Sequence, residues 1–197
     1  MEIDWIQHYK NKLGKISFIK EDFEQFYKET KPFIDIILSH KPKRVIEIGS
    51  GLARDSLLLA QRGVDSTAFE IDKTILEASL ETANNLGVHL NIIQGDFFDL
   101  SKYIAKDYYD IGIHLGVLEH FENEDIEKIL KEQISLIPKI IFAVPIKSEY
   151  NDIFFNDKIY RRLLTKEDWK DILKNFNLID VQEIITRFDT LVVTISR

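Results

Sequence analysis

A three-layer α/β/α domain built on a mainly parallel sheet is the fold this sequence predicts, and three observations carry that prediction. Between Arg44 and Val144, short apolar runs alternate with helical patterns to give five strands. The first run ends in a glycine-bordered turn, Gly49-Ser50-Gly51. The last two runs, Leu178 to Thr186 and Thr190 to Ser196, are joined by Arg187-Phe188-Asp189 alone. Parallel strands need crossover helices, and right-handed crossovers cover both faces of a sheet. A three-residue link is too short for a crossover, so the tail is expected to add an antiparallel hairpin and bring the sheet to seven strands.

The elements follow in order. Asp4 to Leu13 and Lys20 to Ser39 read as helices, the second carrying Phe23, Phe26, Tyr27, Phe33, Ile34 and Ile37 as one apolar stripe. Pro32 is expected to kink or split that helix, since it lacks an amide proton and its ring crowds the preceding turn. Arg44 to Ile48 reads as a buried strand, Leu57 to Ala60 as a helix stopped by Gly63, and Ser66 to Phe69 as a second strand. Lys73 to Leu86 is a helix closed by Gly87, in the position of a left-handed cap. Then come strand His89 to Gln94, a short helix near Leu100 to Ile104, strand Tyr109 to Leu115, helix Asn123 to Ile137, strand Lys139 to Val144 and helix Lys166 to Phe176. We divide the chain as one domain, 1–197, with a helical segment over 1–40 and an α/β core over 43–197.

Composition narrows the function. A hydrophobic content of 45 % over 197 residues suits one core. The chain has 0 cysteines, which removes disulfides, thiolate metal sites and cysteine nucleophiles and suits a reducing compartment. With no signal-peptide pattern after Met1 and no apolar run of about 18 residues, a cytoplasmic protein without membrane contact is expected. A net charge of −7 repels phosphate backbones, so nucleic acid is not an expected partner, and Arg161-Arg162 reads as solvated surface.

The glycine turn lies where the first strand meets the first crossover helix, the junction that faces the ligand crevice in an open α/β sheet. Gly49 and Gly51 let the backbone turn sharply and lie against a ligand, with helix N-terminal amides as donors. Glu70 ends the second strand 19 residues after Gly51, where a carboxylate can accept hydrogen bonds from both hydroxyls of a ribose. Two nucleoside cofactors compete for this site. A pyrophosphate binder wants a third glycine where Arg54 stands, and Glu47 would repel the pyrophosphate. That same carboxylate can hold the cationic amino-acid end of S-adenosylmethionine, which favours the sulfonium compound.

The segment from Val45 to Arg54, Val-Ile-Glu-Ile-Gly-Ser-Gly-Leu-Ala-Arg, resembles the first motif of the class I, Rossmann-like S-adenosylmethionine-dependent methyltransferases. Ala68 to Asp72 is similar to the second motif, which implies that Glu70 binds the ribose and Ile71 lies against the adenine. Gln94-Gly95-Asp96-Phe97 is similar to the third, implying that Asp96 accepts the adenine amino group and Phe97 packs on the ring. Tyr109 to Phe121 is similar to the fourth strand and its exit loop as found in small-molecule members. The resemblance covers about Lys43 to Val144, implies S-adenosyl-L-methionine as cofactor, and departs from the family pattern at Ala53, where many members carry a third glycine. The expected cofactor-binding set is Glu47, Gly49, Ser50, Gly51, Arg54, Glu70, Ile71, Asp96, Phe97, His114 and Leu115, with His114 touching the cofactor through its backbone.

Methyl transfer asks mainly for alignment and exclusion of water, and for a base where the acceptor must lose a proton. His120, with Glu119 beside it, is the candidate catalytic pair; local packing at the entry to a helix is the more common role for such a histidine. No metal is expected, because the acids near Glu122 read as a helix start. Trp5, His8 and Tyr9, together with Tyr150, Phe154, Phe155 and Tyr160, are expected to wall the pocket of a small-molecule acceptor; covering a sheet edge is the competing reading for Phe154 and Phe155. A methyltransferase acting on protein or RNA, a non-catalytic cofactor-binding partner and a nicotinamide-dependent oxidoreductase stand as alternatives.

Overall fold

The computed structural model describes residues 5–157 and 159–197, so Asp4, the expected start of the first helix, lies outside the described residues. The elements are α1 (Trp5–Leu13), α2 (Lys20–Ser39), β1 (Arg44–Ile48), α3 (Arg54–Ala60), β2 (Asp65–Glu70), α4 (Lys73–Leu86), β3 (Asn91–Gln94), β4 (Ile111–Leu115), α5 (Asn123–Leu136), β5 (Lys139–Pro145), α6 (Glu149–Phe154), α7 (Lys166–Ile172), β6 (Asn177–Ile185) and β7 (Asp189–Ser196). The strands form one seven-stranded sheet in the order β3-β2-β1-β4-β5-β7-β6. The first five are mutually parallel; β7 runs antiparallel to β5 and β6. Chain order reverses between β1 and β4, and a crevice opens at such a switch point beyond the carboxyl ends of the strands.

The central strands read as continuous apolar runs because both faces are covered. Val45, Ile111 and Ile113 pack into the layer of α2, α3 and α4, whereas Ile46, Ile48 and Phe142 pack into the layer of α5 and α7. This alternation fixes two site residues. Glu47 shares the Val45 face and so meets α3, and His114 falls on the face opposite Ile113.

Pro32 does not split α2, which runs unbroken from Lys20 to Ser39. Apolar burial on both sides of the proline, by Phe23 and Phe26 before it and Phe33, Ile34 and Ile37 after it, holds the helix through the missing hydrogen bond. A helix-interior proline still costs about 3 kcal/mol relative to alanine, offset in part by the stiffer unfolded chain, so Pro32→Ala is expected to stabilise by about 2 kcal/mol. A urea midpoint no higher than that of the parent protein would refute this. The helix expected near Leu100 is a 3₁₀ segment, Phe97–Lys102, and α6 is an element the sequence reading missed. Among the described residues no helix is long and apolar enough to cross a membrane.

Candidate active site at the switch point

The turn after β1 is held by its own backbone. Gly49 and Gly51 adopt φ of 69° and 51°. The Gly49 and Ser50 amides both donate to the Phe69 carbonyl, at 2.8 and 3.0 Å. Gly51 N–H donates to Glu70 Oε2 at 2.8 Å, and Ser56 N–H donates to Glu47 Oε2 at 2.8 Å. The sequence had suggested helix N-terminal amides as ligand donors; here the amides of the turn are spent on the protein itself. An anion therefore finds no free donors at Gly49, Ser50 or Gly51 themselves. Ala53, at φ 50°, holds a left-handed conformation that normally favours glycine, which is the residue many family members carry there.

Around this turn lies a cavity of about 200 Å³ whose wall includes Glu47, Gly49, Ser50, Gly51, Leu52, Arg54, Asp55, Glu70, Ile71, Phe97, Leu115, Val117, His120 and Phe121, closed on one side by Trp5 and Tyr9 of α1. Its polarity is divided. At one point the Glu70 carboxylate, anchored by Gly51 N–H and by Ile71 N–H at 2.9 Å, ends β2 beside apolar Ile71 and Phe97. At another, Glu47 and Asp55 are both buried, and Asp55 Oδ1 has no hydrogen-bond partner. Burial raises Glu47 to about 8, with the Asp55 charge adding to the effect, and burial raises Asp55 to about 6 against the pull of Arg54. Two buried carboxyl groups on this wall, one with an unpartnered oxygen, are of a kind that a cation donating hydrogen bonds would relieve. A side chain at Gly51 would collide with Tyr9, since a Cβ there falls 2.3 Å from the tyrosine oxygen.

His120 stands on the same wall. Its Nδ1 lies 2.6 Å from the Tyr160 carbonyl, which can only accept, so Nδ1 carries the proton and Nε2 keeps its lone pair. Burial lowers its pKa, so the ring is neutral at pH 7. Trp5 packs edge-on against it at 5.6 Å.

Not every expected residue reaches the cavity. His114 has its side chain off the wall: the strand alternation turns it away from Leu115 and into the α5 and α7 layer, where it stacks on Phe142 at 5.4 Å and burial depresses its pKa to about 3, which bears on the side chain and not on the backbone contact expected of it. Asp96 also lies off the wall; it caps the 3₁₀ segment by accepting from Phe98 N–H at 3.0 Å. Glu119 is buried behind His120, with Oε1 3.8 Å from His120 Nε2 and Oε2 unpartnered. Trp5 and Tyr9 meet the cavity as anticipated, but Tyr150, Phe154 and Phe155 stand beside it, clustered with Phe188. Asp55 was missed, because an acid in the first turn of a helix reads as a partner of the helix dipole. Among the described residues no group of three acidic or histidine side chains could hold a metal.

A mainly parallel sheet with this strand order and a glycine-turned cleft at its switch point is the architecture of ligand-binding α/β proteins of the doubly wound class. Residues 45–138 match the family model described as a methyltransferase domain. Solved structures share the whole fold. Magnesium protoporphyrin IX methyltransferase from Synechocystis, determined with bound S-adenosylhomocysteine, is 18 % identical, with 98 % of each chain covered and a TM-score of 0.72. The 1,6-didemethyltoxoflavin-N1-methyltransferase of Burkholderia thailandensis is also 18 % identical, covering 98 % of this chain and 85 % of its own at a TM-score of 0.70. An S-adenosylmethionine-dependent methyltransferase from Clostridium acetobutylicum is 12 % identical over 96 % of both chains, with a TM-score of 0.70. No curated protein matches the sequence. Residues 45–138 thus resemble a methyltransferase domain, set in the fold that these S-adenosylmethionine-dependent methyltransferases share.

Proposed function

We propose that this enzyme methylates a small molecule, with the cofactor seated in the switch-point cavity and the acceptor entering under α1. The observation that carries the reading is the split of carboxylates around the glycine turn. Glu70 presents acceptors for ribose hydroxyls beside Ile71 and Phe97, while Glu47 and Asp55 present buried carboxyl groups that the methionyl ammonium would ionise on binding, and Arg54 lies at hand for its carboxylate. Bound there, S-adenosylmethionine supplies a methyl group already activated on a sulfonium. The chain's own residues bind, orient and exclude water: Leu115, Val117 and Phe121 make the wall apolar, and Trp5 and Tyr9 cover it. We place 1–197 in a single domain whose helical segment over 1–40 includes the lid α1. His114 and Asp96 have no side-chain role in binding in this reading.

His120 Nε2 is the group that takes a proton from a hydroxyl or amine acceptor; the Tyr160 carbonyl at Nδ1 orients the ring, and Glu119 Oε1, 3.8 Å from Nε2, favours the imidazolium that forms. Two structural neighbours are named for small molecules, magnesium protoporphyrin IX and 1,6-didemethyltoxoflavin, which agrees with this class of acceptor. Calorimetry with S-adenosylhomocysteine tests the cofactor site, and labelled methyl transfer into small-molecule, protein and RNA fractions tests the acceptor class; label in protein or RNA alone would overturn it. For the base, His120→Asn is expected to cut kcat by about 100-fold or more while leaving S-adenosylhomocysteine affinity nearly unchanged. The variant is also expected to lose the acid limb of the pH profile, because that limb reports protonation of Nε2. A kcat within threefold of the parent would end the assignment.

A further inference from the structure

Beside the cavity, three cations from distant parts of the chain gather around one aromatic cluster. Trp5, Tyr9 and Lys12 recur at helical spacing, so Lys12 follows one turn after the cavity residue Tyr9 on the same face of α1. Its Nζ stands 5.3 Å from the ring of Phe154 and 5.8 Å from that of Phe155. From the other side the Arg161 guanidinium covers Phe155 at 4.7 Å. Arg187 enters from the β6–β7 turn, next to Phe188, which itself packs on Phe155 at 5.0 Å. The Arg187 carbonyl accepts from the Tyr150 hydroxyl at 3.0 Å.

The charges do not balance. Arg161 pairs with Asp157 at 2.6 Å and Arg187 with Glu29 at 3.4 Å, but Lys12 has no carboxylate within ion-pair distance among the described residues. Burial lowers the Lys12 ammonium most, with Arg187, Arg161 and Arg54 adding to the effect and Asp157 the one carboxylate opposing it, and Arg161 also acts on His120. Asp157, Glu29 and Asp55 oppose Arg161 and Arg187, which leaves Lys12 as the cation of this group without a carboxylate at ion-pair distance among the described residues. An ammonium and a guanidinium laid over aromatic faces gain part of the attraction that a desolvated anion would complete.

We propose that this cluster is the recognition site for the acceptor, and that the acceptor is a small planar molecule bearing an anionic group, with Lys12, Arg161 and Arg187 holding the anion and Phe154, Phe155 and Phe188 its apolar body. The inference rests on the methyltransferase reading for its second ligand but stands on its own as a binding site. It is tested by calorimetry on the full-length protein with 2-naphthoate, 2-naphthyl phosphate and neutral 2-naphthamide, each titrated with and without S-adenosylhomocysteine. At low salt the acids are expected to bind about tenfold tighter than the amide, with the preference fading as salt screens it. The two acid arms tell carboxylate from phosphate as the preferred anion. Lys12 is exposed, so Lys12→Gln leaves the fold intact; it is expected to reduce the preference about threefold, and Lys12→Gln with Arg187→Gln to abolish it. S-adenosylhomocysteine affinity is expected to stay within about twofold in Lys12→Gln, since Lys12 is not on the cofactor wall. Equal affinity for acid and amide, or a preference that survives both substitutions, would overturn the site. Failure of S-adenosylhomocysteine to bind would instead strike the cofactor reading, because the titrations without it still measure the anion site.

Discussion

Glu70→Ala is expected to weaken S-adenosylhomocysteine binding by about 100-fold and to destabilise the protein by about 2–3 kcal/mol. Both effects have one origin. The carboxylate accepts from Gly51 N–H at 2.8 Å, Ile71 N–H at 2.9 Å and Asp72 N–H at 3.3 Å, and so ties the glycine turn to the end of β2. Alanine leaves these amides without an acceptor. An orphaned buried donor costs about 1–3 kcal/mol, but water from the cavity can reach some of them, which keeps the sum well below three full penalties. The affinity loss adds the two charge-assisted bonds to ribose hydroxyls and a turn no longer held in place. Glu70→Gln separates the contributions: its single oxygen can serve Gly51 or Ile71 but not both, so stability should recover more than affinity does. Urea denaturation and calorimetry on the two variants provide the check. Parental affinity in Glu70→Ala would remove Glu70 from the binding site altogether.

What the sequence made legible follows from burial. β1 spans Arg44–Ile48 and α4 spans Lys73–Leu86, both as expected from sequence, because an apolar run covered on both faces and a helix closed by Gly87 at φ 66° leave few other solutions. Edges were harder. β3 starts at Asn91 rather than His89, since it pairs only with β2 and its register begins at Thr67 opposite Asn91. The segment Glu149–Phe154 looked irregular, yet Ser148 caps it and buried Asn151 ties its backbone to Ile146 and Asp189, a long-range bond that no local pattern announces. At the site, Glu47, Glu70 and the glycines were legible because strand, turn and acid occur in a fixed order. The direction of the His114 side chain was not legible, because a strand buried on both faces shows no alternation to say which side chains face the crevice. The cationic cluster was invisible for a different reason: Lys12, Arg161 and Arg187 come together only through the tertiary fold, and Arg161 read as surface.

Without cofactor, the protein is expected to lose stability as pH rises from about 4.5 to about 8, and Glu47→Gln is expected to remove most of that loss, stabilising the protein by about 3 kcal/mol at pH 8 and little at pH 4.5. Glu47 titrates at about 8 when folded and at its ordinary 4.5 when unfolded, because burial and the neighbouring Asp55 oppose its charge. Between those limits the folded state holds a proton that the unfolded state has released, so raising pH favours unfolding. Asp55, raised to about 6 from 3.8, adds the same sign over a lower window. Gln keeps an oxygen for the Ser56 amide that Glu47 now accepts at 2.8 Å, so the substitution deletes the charge without orphaning the donor. The cofactor reverses the balance. An ammonium placed against Glu47 and Asp55 favours their ionised forms, so binding of S-adenosylhomocysteine should release protons near neutral pH and tighten as pH rises from 6 to 8. Calorimetry in buffers of different ionisation enthalpy reads that proton release directly, and Glu47→Gln should abolish most of it. If binding releases no proton and the Glu47→Gln protein shows the parental pH dependence of both stability and affinity, the ammonium does not lie against this pair, and the cofactor's orientation in the cleft must be reassigned.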